Sequence, residues 1–196
     1  GVYGGKQGSR SKKGNFALIK QIFGALQNCT ADVVFFCEHD VLYSSTHFDF
    51  TPPRSDIYYY NTNVWQLKYE GAPDDGHCLY YLCYKLSQLC CCRTLALGHY
   101  QKKMAAIANA VTYDRRLGFE PGRRNLSFGG VDDTPSKGWR SSQPNVDIRH
   151  LDTFTSTIWR QGAFSRSGKL RRFSGWTESD EIPYWGKGVE IIKTLQ

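Results

Sequence analysis

No stretch of this chain approaches the ~20 consecutive apolar residues that a membrane helix requires. Nothing at its start has the charged, apolar and small-residue order of a secretory signal, so a soluble protein is expected. Internal repeats and linker-like runs are also missing, and 196 residues predict a single domain over 1–196. Paired C-x-x-C spacing is absent. The seven cysteines are odd in number and include the adjacent Cys90, Cys91 and Cys92. That excludes a disulfide framework and fits a reducing, cytoplasmic setting. His77, Cys78 and Cys83 lie close enough in sequence for a zinc site, but buried strand thiols account for them more simply.

What the chain does have is aromatic and basic. Five Trp, twelve Tyr and eleven Phe suit a folded core, or faces that stack on planar or sugar-like ligands. Net charge is +7, gathered near the start at Lys6, Arg10, Lys12 and Lys13, and again at Arg160, Arg166, Lys169, Arg171 and Arg172. Such clusters suit phosphate, on a nucleotide or along a nucleic acid, and equally suit solvated loops.

Residues 1–14 are rich in Gly, Ser and Lys and read as a flexible basic loop. From Asn15 to Asn28 the apolar residues Phe16, Ile19, Ile22, Phe23 and Leu26 recur at helical spacing, with Asn15 placed to cap the start. Asp32–Cys37 follows as an unbroken apolar run, which predicts a strand covered on both faces. Further strands are expected on either side of an Asn61–Asn63 turn, at each end of "CLYYLCYKLSQLCCC" and in "NVDIRH". A helix is expected over Arg93–Val111, and the stretch near 114–145 is loop-rich. The alternation of helix and covered strand predicts an α/β fold.

The run "VVFFCEHDVLYS" carries the chemistry. Its apolar residues give way to Glu38, His39 and Asp40. Ligands of α/β sheets gather beyond the carboxyl ends of strands. In an extended segment residues two apart share a side, so Glu38 and Asp40 are expected to converge while His39 points away. Two converging carboxylates call for a proton or a cation, and oxygen ligands suit Mg²⁺ or Mn²⁺ with positions left for diphosphate. An arbitrary E-x-D is more often a wet surface turn; its place at the end of an apolar run argues otherwise.

The passage "GNFALIKQIFGALQNCTADVVFFCEHD", Gly14 to Asp40, resembles the middle of nucleotide-sugar glycosyltransferases of the GT-A fold. The longer string "EHDVLYSSTHFDFTPP" is similar to a narrower group of phage and bacterial GT-A-type proteins. The resemblance implies a Rossmann-like mixed sheet flanked by helices. It maps that family's D-x-D metal motif onto Glu38 and Asp40, with Glu replacing the first Asp. The strand–helix–strand unit with which those enzymes open has no counterpart before Gly14, so a sheet lacking that unit is expected. A late histidine completes the metal shell in many such enzymes, and His150, after "NVDIR", is the matching position. The resemblance further implies a UDP-sugar or similar donor whose diphosphate approaches Lys12, Lys13 and Asn15.

For an inverting transfer, the base that takes the acceptor's proton is sought at Asp133, Asp132 or Glu120, all in the loop-rich segment. Paired aspartates in such loops are also common turn formers. Trp65, Trp139, Trp176 and Trp185 offer stacking faces, and "DEIPYWGKG", with Trp185, is expected to close over the donor. The acceptor is left open between a modified base in DNA, a surface glycan and a small metabolite. Two competing readings are a non-catalytic nucleic-acid-binding protein and a metal-dependent nuclease or phosphatase. The latter would need a second acidic pair, for which Asp74 and Asp75 are available.

Overall fold

The structure, a computed structural model, describes residues 7–69, 75–109, 120–122, 134–150 and 174–195. The chain divides into two compact units. One comprises Gly1–Phe35, Thr51–Tyr59 and Cys90–Lys137; the other comprises Phe36–Phe50, Tyr60–Leu89 and Gly138–Gln196. Because the chain passes back and forth between them, no linker composition marks the division.

In the first unit, helix α1 (Gln7–Asn28) presents Ile19 and Leu26, seven residues apart and both buried, as one stripe. It begins at Gln7, so the second half of the loop expected over 1–14 is helical, and Asn15 lies inside the helix rather than at its cap. Strand β1 (Val33–Phe35) pairs antiparallel with β6 (Leu89–Cys92), Val33 opposite Cys92 and Phe35 opposite Cys90. β1 is an edge strand whose residues are all half-buried, which corrects the expectation of a strand covered on both faces. The sheet continues through β3 (Tyr58–Asn61) and β7 (Ser136–Trp139) in the order β1-β6-β3-β7. Helix α2 (Arg93–Asn109) follows β6 directly, with Ala96, His99, Tyr100 and Lys103 buried along one stripe. Arg93 donates to the Leu26 carbonyl at 3.3 Å, tying α2 to α1.

The second unit is built on a five-stranded sheet in the order β2-β8-β4-β5-β9. Its strands are β2 (Val41–Leu42), β4 (Val64–Lys68), β5 (Cys78–Tyr80), β8 (Asn145–Arg149) and β9 (Thr177–Ser179). β4 and β8 run parallel, whereas β2–β8, β4–β5 and β5–β9 are antiparallel, so the sheet is mixed. β10 (Glu181–Ile182) and β11 (Gly186–Lys187) form a hairpin leading into α3 (Gly188–Lys193).

Strand alternation separates two faces of this sheet. Trp65, Leu67, Cys78 and Val146 pack with Ile182, Ile191 and Ile192 as the apolar core. On the opposite face of the β4–β8 pair stand Gln66, Lys68, Asn145, Asp147 and Arg149, each less than a tenth exposed. A buried sheet face carrying two amides, a carboxylate and two cations is costly unless those groups are paired.

Candidate functional site

Lys85 reaches the polar face from the segment before β6, and its ammonium donates to both Gln66 Oε1 and Asp147 Oδ2. Arg149 donates to the other Asp147 oxygen at 3.2 Å. Asp147 is thus a buried carboxylate held between two cations, with 4% of its side chain exposed. Tyr81 is buried beside this group, and burial raises its hydroxyl above the usual tyrosine range. The amide nitrogen of Gln66 is buried and has no partner among the described residues. A buried donor of that kind needs a water or a ligand to satisfy it.

Glu38 and Asp40 lie against the same cluster. The Asp40 carbonyl accepts from Ile148 N–H at 2.8 Å, extending the β2–β8 ladder by a residue and setting Asp40 opposite Ile148. The Glu38 N–H donates to the Tyr43 hydroxyl at 2.9 Å, which in turn donates to the Ser87 carbonyl at 2.9 Å. That relay fixes the turn at residues 39–40 and raises the cost of moving either acid. Glu38 is exposed as a residue, yet desolvation on its inner side raises its carboxyl above the ordinary range. The charges of Asp40 and Asp147 push it up further, while Lys85 and Arg149 pull it down. The two acids do share one field, but through a turn at His39–Asp40 and not through the extended alternation expected of them.

A second buried network pins the start of β8. Asn61 and Asn145 both donate side-chain N–H groups to His47 Nδ1 at 3.0 Å, which places the ring proton on Nε2. Asn145 also donates to Gln88 Oε1 at 2.7 Å, and its own Oδ1 accepts from Ser44 N–H at 3.0 Å. His47 is fully buried, and desolvation lowers its pKa to about 4. This neutral histidine is a structural pin two residues along the strand from Asp147.

The other expected site residues are dispersed. His150 follows β8 half-buried, and among the described residues no three His, Cys, Asp or Glu side chains group closely enough to hold a metal ion. The expected trio of Glu38, Asp40 and His150 is therefore not assembled. Mg²⁺ and Mn²⁺ commonly take only one or two carboxylates, filling the shell with water and substrate phosphate. Glu38 and Asp40 fit that lesser demand. Lys12, Lys13 and Asn15 lie within α1 and not in the loop expected for them. Glu120 is half-buried in the first unit, and Asp132 and Asp133 lie outside the described residues, as does Asp74. Trp185 packs on the apolar core and donates its indole N–H to the Pro144 carbonyl at 2.6 Å, so it anchors the β10–β11 hairpin from within.

Asp147, Lys85, Gln66 and Arg149 went unnoticed in the sequence. Their signal was polar alternation inside apolar strands: N-x-D-x-R in "NVDIR" and Q-x-K in "WQLK". His77 meets Glu178 and Asp180 at 3.7 and 3.6 Å instead of joining Cys78 in a zinc site. Cys78 and Cys90 are buried, with thiols pushed up to about 12, in keeping with inert strand thiols. No helix among the described residues is long and apolar enough to cross a membrane. No protein-family model, curated protein or solved structure matches the chain.

Proposed function

We propose that the chain is a metal-dependent glycosyltransferase that moves a sugar from a nucleotide diphosphate donor, a UDP-sugar in the first instance, to an acceptor hydroxyl. One observation carries the reading. Glu38 and Asp40 are held by a tyrosine relay and a strand ladder at the rim of a buried cluster that pairs Asp147 with Lys85 and Arg149. Glu38 and Asp40 are the residues that would hold Mn²⁺ or Mg²⁺, and the bound ion supplies charge neutralisation for the departing diphosphate.

The protein's own contribution is electrostatic. Lys85 and Arg149 both donate to Asp147, and Asp147 keeps Lys85 on the sheet face beside Gln66. Such fixed charges stabilise developing negative charge without reorganising during the reaction. Asp147 is committed to two cations, so it serves as a charge holder and leaves the acceptor's proton to another group. The acceptor is a hydroxymethylated base in DNA or a hydroxyl of a surface glycan.

A panel of UDP-, GDP- and dTDP-sugars tests the reading by Mn²⁺-dependent donor hydrolysis and thermal stabilisation. The expected result is a response to one donor that disappears in Asp40→Ala. Silence toward every donor would overturn it. The third carboxylate, Asp147, beside Lys85 also favours a second reading, metal-dependent phosphodiester hydrolysis. Nicking of plasmid DNA in the same buffer, with no donor hydrolysis, would select that one. Salt-sensitive DNA binding that survives Asp40→Ala would select the non-catalytic alternative.

A further inference from the structure

On the apolar side of β4, opposite Gln66 and Asp147, the second unit has an open cleft of about 590 Å³. Trp65, Thr177, Glu178, Ser179, Glu181 and Tyr184 contribute to its walls. The Trp185 N–H donates to the Ile182 carbonyl at 3.1 Å, closing a turn with Pro183 and Tyr184 at its centre. Tyr184 has φ +72°, the left-handed value that the third residue of a type II turn requires and that glycine normally supplies. A tyrosine in that conformation is strained. The residue is nevertheless 67% exposed, with its ring set edge-on to the Trp185 ring at 5.6 Å. A strained, solvent-facing aromatic on the wall of a cleft is the signature of a residue kept for contact with a ligand.

We infer that this cleft binds a neutral carbohydrate chain, stacked on Tyr184 and hydrogen-bonded by Glu181 and the Thr177 and Ser179 hydroxyls. The C–H faces of a sugar ring suit an exposed phenol, and ring hydroxyls suit carboxylate acceptors. A cationic ligand fits less well. Glu178 already lies 3.7 Å from His77, Lys187 stands opposite Glu181 in the hairpin, and Trp65 is too buried, at 8% exposure, to form a second wall of an aromatic cage. The site does not depend on the transfer chemistry proposed above. It is the place for a glycan whether or not that glycan is the acceptor.

The test titrates the whole chain with neutral hexasaccharides (α- and β-glucan, mannan, xylan), reading tryptophan fluorescence and heat. One member is expected to bind, and Tyr184→Gly is expected to weaken it at least tenfold. Because glycine relieves the turn, that variant should keep or raise the melting temperature, which separates lost binding from lost folding. Asp40→Ala should leave the affinity unchanged, because Asp40 does not line the cleft. The inference is overturned if no hexasaccharide binds, if Tyr184→Gly binds as well as the parent, or if Asp40→Ala abolishes binding. It is also overturned if tetramethylammonium occupies the cleft and the sugars do not.

Discussion

Gln66 and Asp147 stand opposite one another in the parallel β4–β8 ladder, and the single ammonium of Lys85 donates to both. Removing that ammonium leaves two buried acceptors short of a partner. Lys85→Met is therefore expected to cost about 3 kcal/mol in urea denaturation, the scale of breaking a buried ion pair from one side. Asp147→Asn should cost a comparable amount. The double variant should be less destabilised than the two single losses added together, by more than about 1 kcal/mol, because the pair is removed as a unit. Strict additivity would mean that the cation and the carboxylate act independently.

Glu38 calls for the opposite expectation. A carboxyl whose folded pKa is raised prefers its protonated form, so its ionisation costs stability as pH rises above the ordinary value of 4.5. Glu38→Gln, permanently neutral, should hold or raise the melting temperature at pH 7 in metal-free buffer. Under the proposed function the same change lowers Mn²⁺-dependent donor turnover by about 100-fold or more, as expected when an electrostatic group at the reacting diphosphate is lost. A variant that is both less stable and equally active would contradict both parts.

Much of the architecture was legible in the sequence, for reasons that can be named. α2 over Arg93–Asn109 follows from the apolar spacing within Arg93–Val111, and β8 from "NVDIR". The joining of β5 and β6 by a short connection was also readable, although the two strands enter different sheets. The same is true of β3 and β4, flanking Asn61–Asn63. Tyr60, Asn61, Thr62, Asn63 and Val64 are all buried, and local composition does not reveal which sheet a covered strand joins. The acidic pair Glu38 and Asp40 was expected to end a strand covered on both faces. The apolar run before it is a half-buried edge, and what gathers charge there is β8, more than a hundred residues away in sequence. A long-range partner of that kind leaves only the alternation N-x-D-x-R as its mark.

His47 predicts the acid limb of the stability profile. Its folded pKa of about 4 lies below the ordinary 6.5, so the unfolded chain binds the extra proton between those values. Stability from this group is fully present above pH 6.5 and declines as pH falls toward 4. The expected loss is about 3 kcal/mol over that window. His47→Gln should be less stable than the parent at pH 7, since no glutamine reproduces an acceptor shared by Asn61 and Asn145. Its stability should also vary less between pH 7 and 4.5. Urea midpoints measured at half-unit intervals check both.

The thiols should separate by burial. Cys37 is exposed, Cys29, Cys83 and Cys92 are half-buried, and Cys78, Cys90 and Cys91 are buried. With iodoacetamide and mass spectrometry, Cys37 should label first, and faster at pH 9 than at pH 7 because desolvation raises its pKa. Cys78, Cys90 and Cys91 should label only when urea unfolds the chain. Early labelling of Cys90 or Cys91 would mean that the β1–β6 edge opens on its own.

A glycine series tests how tightly α3 is seated. A Cβ on Gly188 would run into the Gly76 carbonyl and come within 2.9 Å of Cys78 Sγ, and neither neighbour has a flexible end to move aside. Gly188→Ala is therefore expected to destabilise by about 2 kcal/mol or more, as overpacking against backbone does. Gly186 has open space around it but a φ of +83°, so Gly186→Ala should cost only about 1 kcal/mol, from backbone conformation alone. Gly24, within α1, meets nothing within 4 Å and has an ordinary helical φ. Gly24→Ala should accordingly stabilise by up to about 1 kcal/mol. Melting curves of the three variants give the order Gly24→Ala, parent, Gly186→Ala, Gly188→Ala. A Gly188→Ala protein as stable as its parent would mean that α3 does not rest on the Gly76 backbone.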